Sequence, residues 1–222
     1  MNTSDEPNFR YAAADGTEAL ALALREAVGT MTSEPPAIVD AAAAAGLVDV
    51  AYATLDSPVG KLILATTPVG LARLAYIDGG QEDEILADMA ARLSPRMLSA
   101  PRRLDQPRRE LDEYFAGRRQ RFELPLDLRL LTDFARRILT ATAGIPYGSV
   151  STYRDVAVQA GSPRGSRAAG NALGSNPLPI VLPCHRVVHT GGGIGGYTGG
   201  LERKRTLLAI EAGQLPPAGQ AR

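Results

Sequence analysis

The sequence predicts an α+β protein in which a small antiparallel sheet with helices precedes a region of short helices. Three observations support this prediction. Short apolar runs separated by turn residues extend from Val48 to Ile77, helical periodicity follows them, and two short helical segments flank Gly161-Ser162-Pro163. The length of 222 residues allows one large domain or two small ones, and 45% hydrophobic with 22% charged residues is ordinary for a globular chain.

The first 47 residues differ in composition from the rest of the chain. They are rich in alanine and poor in aromatic residues, and Thr17 can cap a helix from Glu18 to about Val28 before Ser33-Glu34-Pro35-Pro36 interrupts the pattern. We therefore expect residues 1–47 to be an N-terminal extension that is partly disordered. Beyond it we expect an α+β domain over residues 48–127, a second domain over 128–216, and a tail over 217–222.

The domain over residues 48–127 begins with three predicted strands. The first has alternating Val48, Val50, Tyr52 and Thr54, a pattern typical of a half-buried strand, and the apolar runs Leu62–Ala65 and Leu71–Ile77 follow. Tight turns at Asp56–Gly60 and Pro68–Gly70 predict antiparallel pairing. Two helical patterns come next, and we expect the domain to have a structural role. Their apolar positions are Ile85, Leu86, Met89 and Leu93 in the first, and Leu111, Tyr114 and Phe115 in the second.

A connector from Gly117 to Leu130 leads into three further helical segments. The first places Leu131, Phe134, Ile138 and Leu139 on one face and ends at Gly144 and Pro146. The next two, Tyr153–Ala160 and Arg164–Leu173, are joined by a glycine-containing turn, as in a helix-turn-helix. Any pair of antiparallel helices would share this pattern. Arg164 and Arg167 favour a DNA reader, because the start of the second helix normally faces the groove.

Charge is distributed unevenly along a chain whose net charge is zero. From Asp133 to the C-terminus there are ten basic and four acidic residues, so this region carries +6 and residues 1–132 carry −6. A basic C-terminal half is expected if one domain contacts phosphate, although a solvated charged surface would look the same.

Composition also limits the compartment and the metal chemistry. No stretch approaches the roughly 18 apolar residues of a membrane span, and the polar, acidic N-terminus does not resemble a secretory signal. One cysteine cannot form an internal disulfide. One cysteine and two histidines are also too few for a zinc site with four Cys and His ligands. We expect no metal, no membrane contact and a reduced, cytoplasmic compartment.

The most informative stretch runs from Asn176 to Val188 and reads NPLPIVLPCHRVV. Its apolar residues predict a buried, extended segment that ends in Cys184-His185-Arg186. A lone cysteine is usually a small buried hydrophobe. The pKa of a thiol falls beside a histidine or an arginine, however, and the thiolate is the reactive form. Cys184 is therefore a candidate nucleophile.

Pro183-Cys184-His185-Arg186-Val187, preceded by Asn176-Pro177 and followed by GGYTGGL at residues 195–201, resembles the O6-alkylguanine-DNA alkyltransferases, also called methylated-DNA–protein-cysteine methyltransferases. The resemblance is strong over residues 131–213, looser over 48–130 and absent from 1–47. The long extension departs from the family pattern, as does the lack of the zinc ligands that some members carry in the first domain. The resemblance implies a small N-terminal antiparallel-sheet domain with helices and a C-terminal winged helix-turn-helix-like catalytic domain that binds DNA and transfers the alkyl group.

The resemblance implies chemical roles for five residues. Cys184 accepts the alkyl group, His185 is its base through a bridging water, and Glu211 orients the histidine. Asn176 matches the hinge asparagine between the recognition helix and the active-site strand, and Tyr153 matches the tyrosine that contacts the flipped base and the rotated phosphate. From the residues alone, His185 is equally a structural histidine, Glu211 a surface carboxylate and Tyr153 a core aromatic. Asn176-Pro177 is also turn chemistry.

The resemblance implies DNA contacts and a base pocket as well. Arg167 matches the arginine that enters the base stack where the flipped base was removed, and Gly195–Gly199 matches the loop that walls the guanine pocket. The same glycines would suit a mobile loop. The predicted DNA contacts are Arg167, Tyr153, Arg154, Arg164 and Arg186. The predicted pocket residues are Leu173, Pro179, Val187, Ile194, Gly195, Tyr197, Thr198 and Gly199.

The implied activity is a single, irreversible transfer from O6-alkylguanine, and from O4-alkylthymine, in double-stranded DNA to Cys184. We expect no cofactor, and a monomeric protein of the bacterial cytoplasmic type with access to DNA. Two alternatives stay open: a noncatalytic helix-turn-helix protein that binds alkylated DNA or acts as a regulator, and a cysteine hydrolase. Cys184 argues against the first. The second normally needs a histidine distant in sequence from the cysteine, whereas this chain has only His185 and His189.

Overall fold

The computed structural model describes Ala42 and residues 45–214. The predicted helix from Glu18 to Val28 and the tail over residues 217–222 lie outside these residues. Within them, no helix is long and apolar enough to cross a membrane.

The N-terminal half contains a four-stranded sheet with the strand order β3-β2-β1-β4. The strands are β1 (Val50–Leu55), β2 (Leu62–Thr66), β3 (Leu71–Tyr76) and β4 (Met97–Ser99). The predicted antiparallel pairing of the first three strands is confirmed. The sequence did not predict β4, which pairs in parallel with β1 and is too short, at three residues, to show alternation. The sheet is therefore mixed.

Two helices of the N-terminal half match the predicted patterns. They are α1 (Glu82–Arg92) and α2 (Asp105–Phe115), the latter preceded by a 3₁₀ turn at Pro101–Leu104. Helix α2 buries Leu111, Tyr114 and Phe115, the predicted apolar positions. The connector then returns to the sheet edge, where Leu126 bridges to Leu71.

The C-terminal half contains four helices: α3 (Asp133–Ala143), α4 (Tyr153–Gln159), α5 (Ser166–Gly174) and α6 (Leu201–Glu211). Hydroxyl caps at Thr132 and Thr152 begin α3 and α4, as threonine side chains commonly do. Two-residue strands β5 (Ser151–Thr152) and β6 (Val187–Val188) pair in parallel beside the helices. The α+β class is thus confirmed.

The second helix of the pair begins later than the sequence predicted. The amide of Gly165 donates to the carbonyl of Ser162 at 2.8 Å, so a turn takes up Pro163 and Arg164 before the helix starts at Ser166. Arg164 therefore precedes α5, and of the two predicted arginines only Arg167 lies in its first turn.

The segment before the cysteine is buried, as predicted, but it is not extended. The amide of Leu182 donates to the carbonyl of Leu178 at 2.8 Å, which folds the chain into turns. Ile180 has a φ of 74°, a left-handed conformation that is strained for a β-branched residue. The prediction of an extended segment and an active-site strand is therefore wrong, because prolines and side-chain hydrogen bonds fold these apolar residues into a compact loop.

One hydrophobic cluster joins the two halves of the described chain. It contains Leu64 and Tyr114 from the N-terminal half together with Ile138, Cys184 and Leu207 from the C-terminal half. The nucleophile candidate therefore lies at the edge of a shared core, and residues of the N-terminal half reach its surroundings.

Candidate active site

Cys184 begins a 3₁₀ turn, Cys184–Arg186, that leads into β6. Its position is fixed by Asn176, whose Nδ2 donates to the carbonyl of Leu182 at 2.8 Å and to Cys184 Sγ at 3.1 Å. Asn176 Oδ1 in turn accepts from the amide of Leu178 at 2.9 Å. One buried asparagine side chain thus closes the loop and places a donor against the sulfur.

Burial governs the protonation of the thiol. Cys184 is 5% exposed, and its desolvation raises the pKa of the thiol to about 11, although the Asn176 hydrogen bond and the charge of Lys204 act in the opposite direction. The resting thiol is therefore protonated at neutral pH, and it needs a base before it can act as a nucleophile.

A buried histidine and carboxylate follow the cysteine. His185 Nε2 lies 2.8 Å from Glu211 Oε1, and both side chains are inaccessible to solvent. Burial lowers the pKa of His185, against the opposing effect of Glu211, so the ring is neutral at pH 7. Among the described residues His185 Nδ1 has no hydrogen-bond partner, although it is buried. If Nε2 carries the proton of the Glu211 contact, Nδ1 is the ring nitrogen that can accept a proton, as a base requires.

Glu211 is ionised and surrounded by donors. Burial alone would raise its pKa, but hydrogen bonds from His185 and Arg186 outweigh burial and hold the pKa at about 2. Arg186 Nη2 donates at 2.9 Å, the Gly148 amide at 3.2 Å, and the Tyr114 hydroxyl at 2.7 Å. The open alternative of a surface carboxylate is excluded, because Glu211 is buried.

Cys184 lines a cavity of about 250 Å³ between α5 and the glycine-rich loop. The two aromatic side chains of the wall are Tyr153 and Tyr197, and Leu173 contributes an apolar side. The full lining is Tyr153, Gly170, Leu173, Gly174, Cys184, Gly196, Tyr197 and Thr198. A planar aromatic ligand with a small substituent directed at the sulfur fits such a site.

A second, wider cavity of about 560 Å³ opens on the surface beside the first. Its basic side chains are Arg154 and Arg167, both exposed, and it shares Tyr153, Gly170 and Gly196 with the first cavity. His189 lies with its ring centroid 5.1 Å from that of Tyr153. This surface joins positive charge to the entrance of the thiol cavity.

Comparisons with known proteins agree with this geometry. A family model described as 6-O-methylguanine DNA methyltransferase, DNA binding domain, matches residues 133–213. A second model, described as 6-O-methylguanine DNA methyltransferase, ribonuclease-like domain, matches residues 50–128. The methylated-DNA–protein-cysteine methyltransferase of Mycolicibacterium paratuberculosis is 40% identical over 165 residues, which are 74% of this chain and 94% of the relative. The chain belongs to the methylated-DNA–protein-cysteine methyltransferase family.

Solved structures show the same fold as this methyltransferase family member. The structure of Mycobacterium tuberculosis OGT in complex with DNA is similar with a TM-score of 0.63 at 36% identity, covering 75% of this chain and 95% of that one. The O6-methylguanine-DNA methyltransferase of Pyrococcus kodakaraensis is similar with a TM-score of 0.57 at 25% identity, covering 73% and 98%.

The structure corrects one of the predicted DNA contacts of this methyltransferase. Arg186 is 5% exposed, and its guanidinium points inward, donating to Glu211 and, at 2.6 Å, to the carbonyl of Ile145. A side chain whose charge is paired inside the protein does not contact DNA. Arg164 is exposed but lies in the turn before α5, outside the lining of the wider cavity.

The predicted pocket of the methyltransferase is corrected in part. Leu173, Tyr197 and Thr198 line the cavity with Cys184, as expected. Pro179, Val187 and Gly199 are buried and do not line the cavity, and Gly199 lies against the ring of Tyr76. Ile194 and Gly195 also lie outside the lining, and Gly195 approaches Tyr153 so closely that a Cβ there would be 2.8 Å from its hydroxyl.

The sequence missed two residues that this methyltransferase places at the site. Tyr114 was predicted only as an apolar helix position, and nothing in its pattern indicates that its hydroxyl reaches Glu211. Lys204 entered the sequence analysis only as one of the ten basic residues of the C-terminal half, yet it is fully buried and donates to the carbonyls of Val187 and Gly196 at 2.6 and 3.1 Å. Its spacing of three residues from Leu207 and seven from Glu211 is the signal that places it on the buried face of α6.

Proposed function

We propose that this protein repairs double-stranded DNA by transferring the alkyl group of O6-alkylguanine, and of O4-alkylthymine, irreversibly to Cys184. The observation that carries the proposal is the position of the chain's single cysteine, which lines a cavity and is followed by a buried neutral histidine. The names of the relatives support the reaction type, since each is a methylated-DNA–protein-cysteine methyltransferase.

The transfer is a displacement at carbon. The thiol proton of Cys184 passes to His185 Nδ1, directly or through a water molecule, and the thiolate attacks the alkyl carbon. A carbon–sulfur bond forms as the carbon–oxygen bond breaks, and its electron pair goes to the guanine oxygen. The guanine anion then takes up one proton and His185 gives up the one that it accepted, directly or through solvent, so that guanine, a thioether and a neutral histidine are the products. Glu211 stabilises the imidazolium that forms, and a hydrogen bond from Tyr153 to the base stabilises the leaving charge.

The product explains why the protein acts once. A thioether has no carbonyl group for water to attack, unlike an acyl-enzyme, so no group in the site regenerates Cys184. The substrate itself supplies the group that is moved, and the reaction needs no cofactor.

The damaged base must leave the duplex before it reaches the thiol. Extruding a nucleotide costs a few kcal/mol of unstacking, and less when the base is damaged. Arg167, exposed in the first turn of α5 and beside the cavity entrance, is suited to fill the gap in the stack. Arg154 supplies further positive charge, so affinity for DNA falls as the salt concentration rises.

The chemistry of the transfer also bears on the cellular compartment and the oligomeric state of the protein. A buried, reactive thiol needs reducing conditions, so we assign the protein to the cytoplasm with access to DNA. Every group named in the transfer comes from one chain, so a monomer suffices for the reaction.

Mass spectrometry tests the proposal directly. The protein is mixed with a duplex oligonucleotide that contains one O6-methylguanine, and with the same duplex undamaged. We expect a stoichiometric gain of one methyl group on the peptide that holds Cys184, no gain with undamaged DNA, and none for Cys184→Ala. Repeated turnover of an ester or amide would favour the hydrolase alternative. Binding of the damaged duplex with no gain of mass would favour the noncatalytic one.

A further inference from the structure

Tyr114 connects the N-terminal half of the protein to the buried carboxylate of the site. It lies in α2, is fully buried, and its hydroxyl is 2.7 Å from Glu211 Oε1, 97 residues further along the chain. The same hydroxyl lies 3.4 Å from His185 Nε2. The reaction described above uses Cys184, His185 and Glu211, and it leaves this contact without a role.

The donors and acceptors of this contact are set by the ionisation of Glu211. A carboxylate with a pKa of about 2 only accepts hydrogen bonds at neutral pH. Tyr114 must therefore donate its hydroxyl proton, and the neutral His185 ring must carry its proton on Nε2 to bond the same oxygen. The proton-free nitrogen is then Nδ1, the atom that lacks a partner among the described residues.

Competition for the carboxylate makes the position of Oε1 important. Arg186 donates from Nε to Oε2 at 2.9 Å and to Oε1 at 3.1 Å, and from Nη2 to Oε1 at 2.9 Å. The Gly148 amide donates to Oε2. Oε1 thus takes part in hydrogen bonds with Tyr114, His185 and Arg186, whereas Oε2 accepts from Arg186 and Gly148. Tyr114 makes the shortest of the contacts to Oε1, so without its hydroxyl the position of this oxygen depends on Arg186 and His185 alone.

The tyrosine ring is fixed by aromatic neighbours. The ring centroids of Phe115, Phe122 and Tyr147 lie 5.5, 5.4 and 6.0 Å from that of Tyr114. Phenylalanine at position 114 would keep these contacts and remove only the hydroxyl. The effect of that one hydrogen bond can therefore be measured separately from packing.

We propose that Tyr114 is a positioning residue of the alkyl transfer, whose hydroxyl holds the Glu211 carboxylate against His185 Nε2 and so keeps Nδ1 free to accept the thiol proton. The proposal rests on the function proposed above. It gives the N-terminal half a part in the chemistry beyond the structural role that the sequence predicts.

The first measurement determines the tautomer of His185 by ¹⁵N NMR of protein labelled at histidine. The chain contains only two histidines, His185 and His189. We expect the Nε2–H tautomer in the wild type and a mixture of tautomers in Tyr114→Phe. An Nδ1–H tautomer in the wild type overturns the proposal without any variant. This readout does not depend on alkyl transfer, so a failure of the positioning role is distinguishable from a failure of the proposed function.

The second measurement is the rate constant of single-turnover methyl transfer from a damaged duplex, as a function of pH. We expect Tyr114→Phe to lower the rate roughly tenfold, as for the loss of a hydrogen bond to a charged group. The acid limb of the variant's pH–rate profile should shift to lower pH, because the contact between His185 and Glu211, which raises the pKa of His185, is weakened. When Glu211→Gln is already present, adding Tyr114→Phe should not lower the rate constant further, since Tyr114 acts through the carboxylate.

Tyr147→Phe is the matched control. The hydroxyl of Tyr147 donates to the backbone carbonyl of Ile210 at 3.3 Å and not to the carboxylate. We expect this variant to keep the wild-type rate, pH profile and tautomer. The proposal is overturned if Tyr114→Phe behaves like the wild type in rate and tautomer, or if Tyr147→Phe changes them as much.

Discussion

The hydroxyl oxygens of Tyr76 and Tyr197 lie 2.6 Å apart, which joins the end of β3 to the wall of the thiol cavity. The guanidinium of Arg203 stacks over the Tyr76 ring at 4.5 Å and donates a hydrogen bond to Asp78. The ring of Tyr76 is therefore covered by a side chain that is itself fixed. Gly199 has no side chain at the point where the ring lies, and a Cβ there would come within 2.4 Å of it. The N-terminal sheet therefore supports the wall of the pocket from behind.

This support predicts that Tyr76 limits the size of the alkyl group that reacts. Tyr76→Ala removes the ring behind Tyr197 and lets the wall recede. We expect the rate of benzyl transfer relative to methyl transfer to rise roughly threefold or more, by analogy with the discrimination that small volume changes give in apolar pockets. Tyr52→Ala, in β1 of the same sheet but packed in a different cluster, is the control. A similar change of the ratio in both variants would contradict a specific role for Tyr76.

Glu211 is expected to matter for stability as well as for transfer. Glu211→Gln leaves the buried guanidinium of Arg186 without its counter-charge, and breaking a buried pair in this way costs about 3–5 kcal/mol. Loss of the group that stabilises protonated His185 should also slow transfer roughly 100-fold. Urea denaturation and single-turnover assays measure the two effects. Glu202→Gln, exposed on the same helix, should change neither, and a stable, fully active Glu211→Gln would refute the buried network.

The pH dependence of stability follows from the same carboxylate. Its pKa is about 2 in the folded protein against 4.5 when unperturbed, so its stabilisation is present above pH 4.5 and is lost as the pH falls towards 2. The pKa of His185 is lowered by folding, so below its unperturbed value of 6.5 the unfolded state binds the proton first, and stability again falls with acidification. The Glu211 contribution is about 3 kcal/mol. Urea titrations between pH 7 and pH 3 should show a smaller loss for Glu211→Gln, and an equal loss would contradict the assignment.

Much of the fold could be predicted because its elements carry local signals. The alternation before Asp56 and the turn at Asp56–Gly60 predict two strands, and the apolar face of Leu111 and Tyr114 predicts α2. Strand β4 and the late start of α5 were not predictable in this way. A three-residue strand has no periodicity, and a turn at Ser162–Gly165 differs from a first helical turn by one hydrogen bond.

The site was predictable only as far as the motif reaches. Cys184 and His185 are adjacent in sequence, and the family resemblance supplied Glu211 and Asn176. The inward direction of Arg186 and the hydroxyl contact of Tyr114 depend on tertiary packing, because their partners lie 25 and 97 residues away. The sequence showed an arginine after the histidine but not that its charge is used inside the protein.

Lys204 predicts an electrostatic effect on the thiol. It is fully buried, its desolvation lowers its pKa to about 8, and its charge lowers the pKa of Cys184. Lys204→Met should therefore raise the pKa of the thiol and slow transfer roughly tenfold at pH 7. The difference in transfer rate between Lys204→Met and the wild type should become smaller above pH 8, where Lys204 itself loses its charge. Alkylation of the thiol by iodoacetamide across this pH range measures the pKa. Arg205→Met, one position along and exposed, should have no effect, and a gap that persists at pH 9 would argue against a charge effect.

Arg167 predicts a difference between duplex DNA and a free base. Its side chain lines the wide cavity beside the thiol pocket but is absent from the lining of that pocket, so it can act on the displaced strand without touching the reacting carbon. Arg167→Ala should slow repair of a damaged duplex at least tenfold, because the unstacked state loses its support at a cost of a few kcal/mol. Its reaction with free O6-benzylguanine should stay within about twofold of the wild type. Arg164→Ala removes the same charge from the turn before α5 and should weaken duplex repair less. Equal losses on duplex and free base would assign Arg167 to the pocket instead.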